Sequence, residues 1–198
     1  PYYYTPTPAD IQRFFEDVAT RGGLPLMIYN NWWNTRNMNL DMVSRLAEID
    51  GIVALKWSAP TQMQYLEGYE RFRERLAIID NALEHVMASL LGATGVITHI
   101  SNFWPAYPRR LWALMQAHDF EGLRDALAFK WEWRRWVERA AAYTEGEGPF
   151  IKAAMEEVGL PSGDPIPPGL PLTPELRADL HELLTRYGVP RADTVSVG

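Results

Sequence analysis

Apolar positions along the chain alternate between short unbroken runs and a helical period, and the alternation repeats. Thr7-Pro8-Ala9-Asp10 opens a helix, with Thr as N-cap, Pro at the first helical position and Asp three residues after the cap. Ile11, Phe14, Phe15 and Val18 then mark one apolar face, and Gly22-Gly23 stops the helix. A strand is predicted over Leu24 to Tyr29, a polar and aromatic loop over Asn30 to Asn39, and a short helix with Leu40, Val43 and Leu46 on one side. Next comes Ile52-Val53-Ala54-Leu55-Lys56, four apolar residues closing on a cation, the pattern of a strand buried on both faces. A helix near Thr61 to Arg75 with Tyr65, Tyr69 and Phe72 inward, a strand Leu76 to Asp80, a helix Leu83 to Leu91 stopped by Gly92, and a strand Gly95 to Ile100 continue the series.

Four short strands, each separated by a helix, imply parallel pairing and right-handed crossovers, hence an α/β sheet or barrel. Beyond Ile100 the pattern is helical only. Helices are predicted at about Pro108 to His118, Glu121 to Tyr143 and Pro149 to Val158, and, after the Pro/Gly-rich connector Pro161 to Leu172, at Pro174 to Tyr187. Trp131, Trp133 and Trp136 fall in the longest helix, where they are read as core or subunit interface rather than as a ligand platform.

In a parallel sheet the C-terminal ends of the strands carry the chemistry, and Lys56 closes its strand there. Lysine is scarce: Lys56, Lys130 and Lys152 stand against 16 arginines. Only Lys can lose its proton and attack a carbonyl, so a rare Lys at a strand end is either an amine nucleophile or a side chain snorkelling to solvent. Tyr29 closes the preceding strand and reaches the same rim, where a phenol can pass protons during imine formation and breakdown. Trp57 is expected to keep water off the amine. Asn30, Asn31, Asn34, Ser58 and Thr98 supply neutral hydrogen-bonding groups at that rim. Asp80 and Asn81 end their strand there too, either orienting a substrate or capping the next helix.

The make-up of 198 residues, 47% hydrophobic and 22% charged, is that of a globular protein of one domain, perhaps with an appendage. A net charge of -6 and the absence of like-charge blocks argue against nucleic acid as a partner. No Cys is present, so thiol nucleophiles, disulfides and thiolate metal sites are excluded. His85, His118 and His181 share no metal-ligand spacing, and His99, near the end of the last strand, is read first as a structural histidine. No metal or cofactor is expected. With no apolar run near the roughly 18 residues of a membrane span, and no signal peptide at Pro1-Tyr2-Tyr3-Tyr4, no membrane partner and a cytoplasmic location are expected.

Tyr2-Tyr3 after a Pro, Leu24-Pro25-Leu26-Met27-Ile28-Tyr29-Asn30, Ala54-Leu55-Lys56, Leu91-Gly92-Ala93-Thr94-Gly95-Val96-Ile97, Asn102, and Gly148-Pro149-Phe150-Ile151-Lys152 follow one another in register. In this order and spacing they resemble the dihydrodipicolinate synthase / N-acetylneuraminate lyase family. The resemblance implies a (β/α)8 TIM barrel with a C-terminal helical extension, class I aldolase chemistry through a Schiff base to a pyruvate-type 2-oxo acid, and a homo-oligomer, a dimer or a tetramer of dimers. By position, Lys56 matches the imine-forming lysine and Tyr29 the proton-transferring tyrosine. Tyr3 matches the tyrosine that crosses a dimer interface into the partner's site, and Ile97 a residue packing near substrate. Such a barrel needs about 250 residues, so this chain is expected to hold its second half, strands 5 to 8, over 1–118, with the extension over 119–198. An N-terminal half-barrel would come from elsewhere.

The loop after Tyr29 departs from the synthases, which place there an arginine for the carboxylate of their aldehyde substrate. Counting from Tyr29 puts Asn34 at that place, with Arg36 two residues on. Trp32, Trp33, Trp57, Phe103 and Trp104 give the rim an aromatic character, and Tyr29 with Asn31 resembles the Tyr-x-Asn of the family's hydratase-aldolases. An acceptor with an uncharged, aromatic or hydroxylated end is therefore expected. Synthase-like or sugar-acid dehydratase activity, and a non-catalytic family member, are the alternatives.

Overall fold

The computed structural model describes residues 4–144 and 146–192. The first helix, α1 (Pro8–Gly22), starts at the Thr7 capping box, in which the hydroxyl of Thr7 and the carboxylate of Asp10 satisfy each other's backbone N–H groups. Then come β1 (Leu26–Tyr29), α2 (Leu40–Ala47), β2 (Ile52–Trp57), α3 (Gln62–Phe72), β3 (Ala77–Asp80), α4 (His85–Leu90) and β4 (Gly95–Val96). All three strand pairings are parallel, in the order β1-β2-β3-β4. Asn39 and Thr61 cap α2 and α3 with their side chains.

The outer face of the sheet is the core of this unit. Ile28, Leu55, Trp57 and Ile78 are fully buried there, with Val43, Leu46, Tyr65, Tyr69 and Phe72 among the residues packed in the same cluster. Trp57 sets the approach of α3. Its indole N–H donates to the Tyr65 carbonyl at 3.0 Å, and a Cβ placed on Gly68 would lie within 2.7 Å of three indole atoms. Only glycine lets the helix sit this close to the ring.

The last strand and the helix before it come out shorter than expected. The last strand stops at Val96 because β3 ends at Asp80; the Ile97 N–H still reaches the Asp80 carbonyl at 2.9 Å, and no strand residue remains to pair beyond it. The helix after β3 begins at His85 rather than Leu83. The Asp80 carboxylate accepts from the Ala82 N–H at 2.9 Å and Leu83 takes φ 64°, so a tight turn fills the space. On α1 the predicted apolar face is only partly used: Ile11 and Phe15 touch the core, while Phe14 is 62% exposed.

Residues from His99 onward form a second compact unit. A short 3-10 turn (His99–Asn102) leads into α5 (Ala106–Gln116), α6 (Phe120–Thr144), α7 (Glu147–Glu157) and α8 (Pro174–Arg186). Helix α5, which lies before the expected boundary at residue 118, thus belongs to this unit. Its centre is aromatic: Phe103, Tyr107, Phe129, Trp133, Trp136 and Phe150 are buried in edge-on and tilted contacts. Trp133 and Trp136 are core residues, whereas Trp131 is exposed. Lys152 tethers the Pro/Gly-rich connector by donating to the Ser162 carbonyl at 2.6 Å, with the carbonyls of Gly163 and Asp164 at 3.3 and 3.4 Å. No helix among the described residues is long and apolar enough to cross a membrane.

Candidate active site

Lys56 is level with Tyr29 of β1 and with Ile79 of β3, and Ile79 with Gly95 of β4. Residues in register on a parallel sheet share a face, so these four form one row at the C-terminal end of the sheet. This face is partly open: Tyr29 is 39% exposed, and Lys56 and Ile79 are half-buried. The Lys56 Nζ lies 3.7 Å from the centre of the Tyr29 ring, within cation–π range. The amine thus rests against the phenol that could serve it, on the open face.

Trp57 falls on the other side. Successive strand residues alternate faces, and Trp57 pairs with Asp80 on the helix-covered face with no exposed surface. It neither shields the Lys56 amine nor touches a ligand at the rim, which corrects both expectations made for it. Ser58 is only 2% exposed, and its hydroxyl is spent on the Asn30 carbonyl at 3.0 Å, so it has no hydrogen to offer a substrate. Ile97 is 38% exposed. Tyr3 lies outside the described residues.

The loop after Tyr29 is organised by Asn30, which is fully buried. Its Nδ2 donates to the Ser58 carbonyl at 2.8 Å and to Asn37 Oδ1 at 3.0 Å, its Oδ1 accepts from the Met38 N–H at 2.9 Å, and its own N–H donates to the Lys56 carbonyl at 3.2 Å. Asn31 is half-buried, its carbonyl accepting from the N–H groups of Asn34 and Thr35. Its Oδ1 is buried with no hydrogen-bond partner among the described residues. Trp32 and Trp33 meet edge to face, and Trp33 is 48% exposed.

Between α1, the residues before it and this loop lies a cleft of about 400 Å³. Tyr29, Thr35, Arg36 and Met38 line it from one side and Tyr4, Phe14 and Phe15 from the other. Arg36 is in that lining and Asn34 is not. The Arg36 Nε donates to the Pro6 carbonyl at 2.6 Å, and among the described residues its terminal nitrogens have no other partner. The cleft has a cation, supplied by the residue two places beyond the one that simple counting selects.

A second polar cluster lies behind the sheet. His85 Nδ1 is 2.7 Å from Asp80 Oδ2, and the Tyr65 hydroxyl donates to Asp80 Oδ1 at 2.9 Å. The hydroxyls of Tyr65 and Tyr69 are 3.4 Å apart. Burial, reinforced by the Asp80 carboxylate, raises the Tyr65 phenol far above its ordinary value, and burial raises that of Tyr69 as well. Asp80 therefore serves this cluster and the Ala82 turn rather than the open face. Among the described residues no group of three or more His, Asp or Glu could hold a metal ion.

A parallel α/β sheet with a lysine amine held over a tyrosine ring at its C-terminal rim has the arrangement of the α/β folds that keep their sites at the strand ends. The chain belongs to the dihydrodipicolinate synthetase family, whose model matches residues 1–187. It is 31% identical over 193 residues to a 4-hydroxy-tetrahydrodipicolinate synthase of Syntrophobacter fumaroxidans, covering 96% of this chain and 64% of that protein. A DapA-like lyase of Rhizobium meliloti, itself uncharacterized, is 32% identical over 184 residues, 89% of this chain and 58% of the relative. The dihydrodipicolinate synthase structure from Aquifex aeolicus superposes with a TM-score of 0.79 at 25% identity, covering 97% of this chain and 65% of that one. The chain spans 61 to 64% of the length of the first curated relatives it matches. The fold is thus the family's (β/α)8 type, represented here by four parallel strands and the helices that follow them.

Proposed function

We propose that this chain carries the Schiff-base half of a class I lyase or aldolase acting on a pyruvate-type 2-oxo acid. The observation that carries the reading is the Lys56 amine 3.7 Å from the centre of the Tyr29 ring, on the open face at the strand ends. Membership of a family whose curated relatives are 4-hydroxy-tetrahydrodipicolinate synthases supports it. The amine attacks the 2-oxo carbon, the carbinolamine loses water, and the protonated imine accepts the electron pair of a breaking C3–H or C3–C bond to give an enamine, whose C3 then attacks an aldehyde carbon or takes up a proton. Tyr29 gives a proton to the departing hydroxyl and takes one back. Exposed Met27, Tyr29 and Phe14, and the unpaired edge of β1, support a setting in which further (β/α) units or a second copy cover this face. We place the protein in the cytoplasm as a homo-oligomer. Borohydride should inactivate the protein only when a 2-oxo acid is present; inactivation independent of 2-oxo acid, or none across a panel, contradicts the reading.

The position of Arg36 favours a carboxylate-bearing aldehyde as the second substrate, over the uncharged acceptor expected from Asn34. A charge-assisted hydrogen bond contributes about 1.5–3 kcal/mol against about 1 kcal/mol for a neutral one. Arg36→Ala should therefore lower kcat/KM for such an aldehyde by about 10- to 100-fold, and Asn34→Ala by no more than a few-fold. The reverse ranking, or equal use of aromatic aldehydes by both variants and the parent, would return the acceptor to the aromatic class that Trp32 and Trp33 suit.

A further inference from the structure

We infer that Asn30 and Ser58 form a clasp that positions Lys56 against Tyr29, and that both are positioning residues for the imine-forming step rather than substrate ligands. The inference rests on the Schiff-base reading above and assigns a part of that site which the row of rim residues does not reveal.

The clasp joins two strand ends from both sides. Asn30 follows Tyr29 directly, and Ser58 is two residues beyond Lys56. The Asn30 Nδ2 donates to the Ser58 carbonyl at 2.8 Å while the Ser58 hydroxyl donates back to the Asn30 carbonyl at 3.0 Å. A third bond, from the Asn30 N–H to the Lys56 carbonyl at 3.2 Å, extends the β1–β2 ladder past Tyr29. Asn30 has no exposed surface and Ser58 has 2%, so these bonds form out of water and neither side chain is free to meet a ligand.

The same asparagine also fixes the loop that carries Arg36. Its Oδ1 holds the Met38 N–H, and its Nδ2 holds Asn37 Oδ1. Asn37 in turn reaches Gln64 of α3 at 3.5 Å. One buried amide thereby ties the backbone of both chemically important strand ends to the return of the loop. Asn suits this place because it offers two donors and an acceptor in a single plane. An aspartate of the same shape keeps the acceptor for Met38 and loses both donors. Misplacing a reacting group by about 1 Å costs on the order of 100-fold in rate, so slackening the clasp should appear in the chemistry before it appears in binding.

The test compares parent, Ser58→Ala and Asn30→Asp by the rate of borohydride trapping with pyruvate, measured across pyruvate concentrations, alongside urea unfolding of each. In the parent a pyruvate-dependent adduct forms. For Ser58→Ala the saturating trapping rate should fall about tenfold, and for Asn30→Asp by more, with the half-saturating pyruvate concentration within about twofold of the parent; the rate loss follows from misplacement of the amine. Trapping by a folded Ser58→Ala at the parental rate, or a change confined to half-saturation, overturns the inference. If Asn30→Asp does not fold, Ser58→Ala, which removes a single hydroxyl, decides. An unreactive parent removes the Schiff-base reading and the clasp with it, whereas a reactive parent with indifferent variants removes the clasp alone.

Discussion

Tyr29→Phe is expected to cut turnover by about 10²- to 10⁴-fold, the range for loss of a positioned general acid–base, while a pyruvate adduct still forms. The reason is that the two parts of Tyr29 have separate jobs. Its ring lies 3.7 Å from the Lys56 Nζ and holds the amine by its face, which Phe retains. In the proposed mechanism its hydroxyl is the proton carrier, which Phe lacks, so Tyr29→Phe should form the adduct more slowly than the parent. Tyr29→Ala removes both parts and should slow adduct formation further. The measurement is steady-state turnover set beside trapped adduct for the two variants. Equal turnover in Tyr29→Phe and the parent would mean that the proton comes from another group, and equal trapping in Tyr29→Ala and Tyr29→Phe would mean that the ring does not hold the lysine.

The second large effect lies behind the sheet. Asp80→Ala should destabilise the protein by about 3–5 kcal/mol, the cost of leaving several buried hydrogen-bonding groups without a partner at about 1–3 kcal/mol each. Asp80 is fully buried, and its two oxygens satisfy His85 Nδ1, the Tyr65 hydroxyl and the Ala82 N–H. Truncation orphans all three and loosens the turn that starts α4. Asp80→Asn keeps the shape and one acceptor, and should cost less. Against a total stability of about 5–15 kcal/mol, the alanine variant should show a sharply lower urea midpoint. A midpoint equal to that of the parent would mean that solvent reaches the cluster and replaces the carboxylate.

The strands and their order were legible because an unbroken apolar run between helical patterns has few other readings. Lys56 was visible for the same reason, as the one cation at the end of such a run, with Tyr29 level with it. Trp57 leaves the rim because β2 extends one residue past Lys56, and the strand period of two then sends it to the opposite face. Arg36 was less accessible. The loop follows no period, and its course is set by a bond between Asn30 and the Met38 N–H eight residues apart. Counting along the chain therefore selects Asn34, while the folded loop sends Arg36 to the cleft. The Asp80–His85 pair depends on a turn with Leu83 at positive φ, an unfavourable conformation for leucine that its sequence does not announce. The spacing of Tyr65 and Tyr69, four apart on one helix, was the one available hint, and it reads equally well as ordinary core.

The central claim is that one amine, at the end of β2, forms the imine. The direct measurement is peptide mapping after borohydride reduction with pyruvate, which is unambiguous in a chain with three lysines. Lys152 is engaged with the connector carbonyls and Lys130 is 7% exposed within the helical unit, so neither competes for substrate on structural grounds. The account predicts the reduced adduct on the peptide containing Lys56, and its absence from Lys56→Ala. An adduct on Lys130 or Lys152, or one that persists in Lys56→Ala, would contradict it.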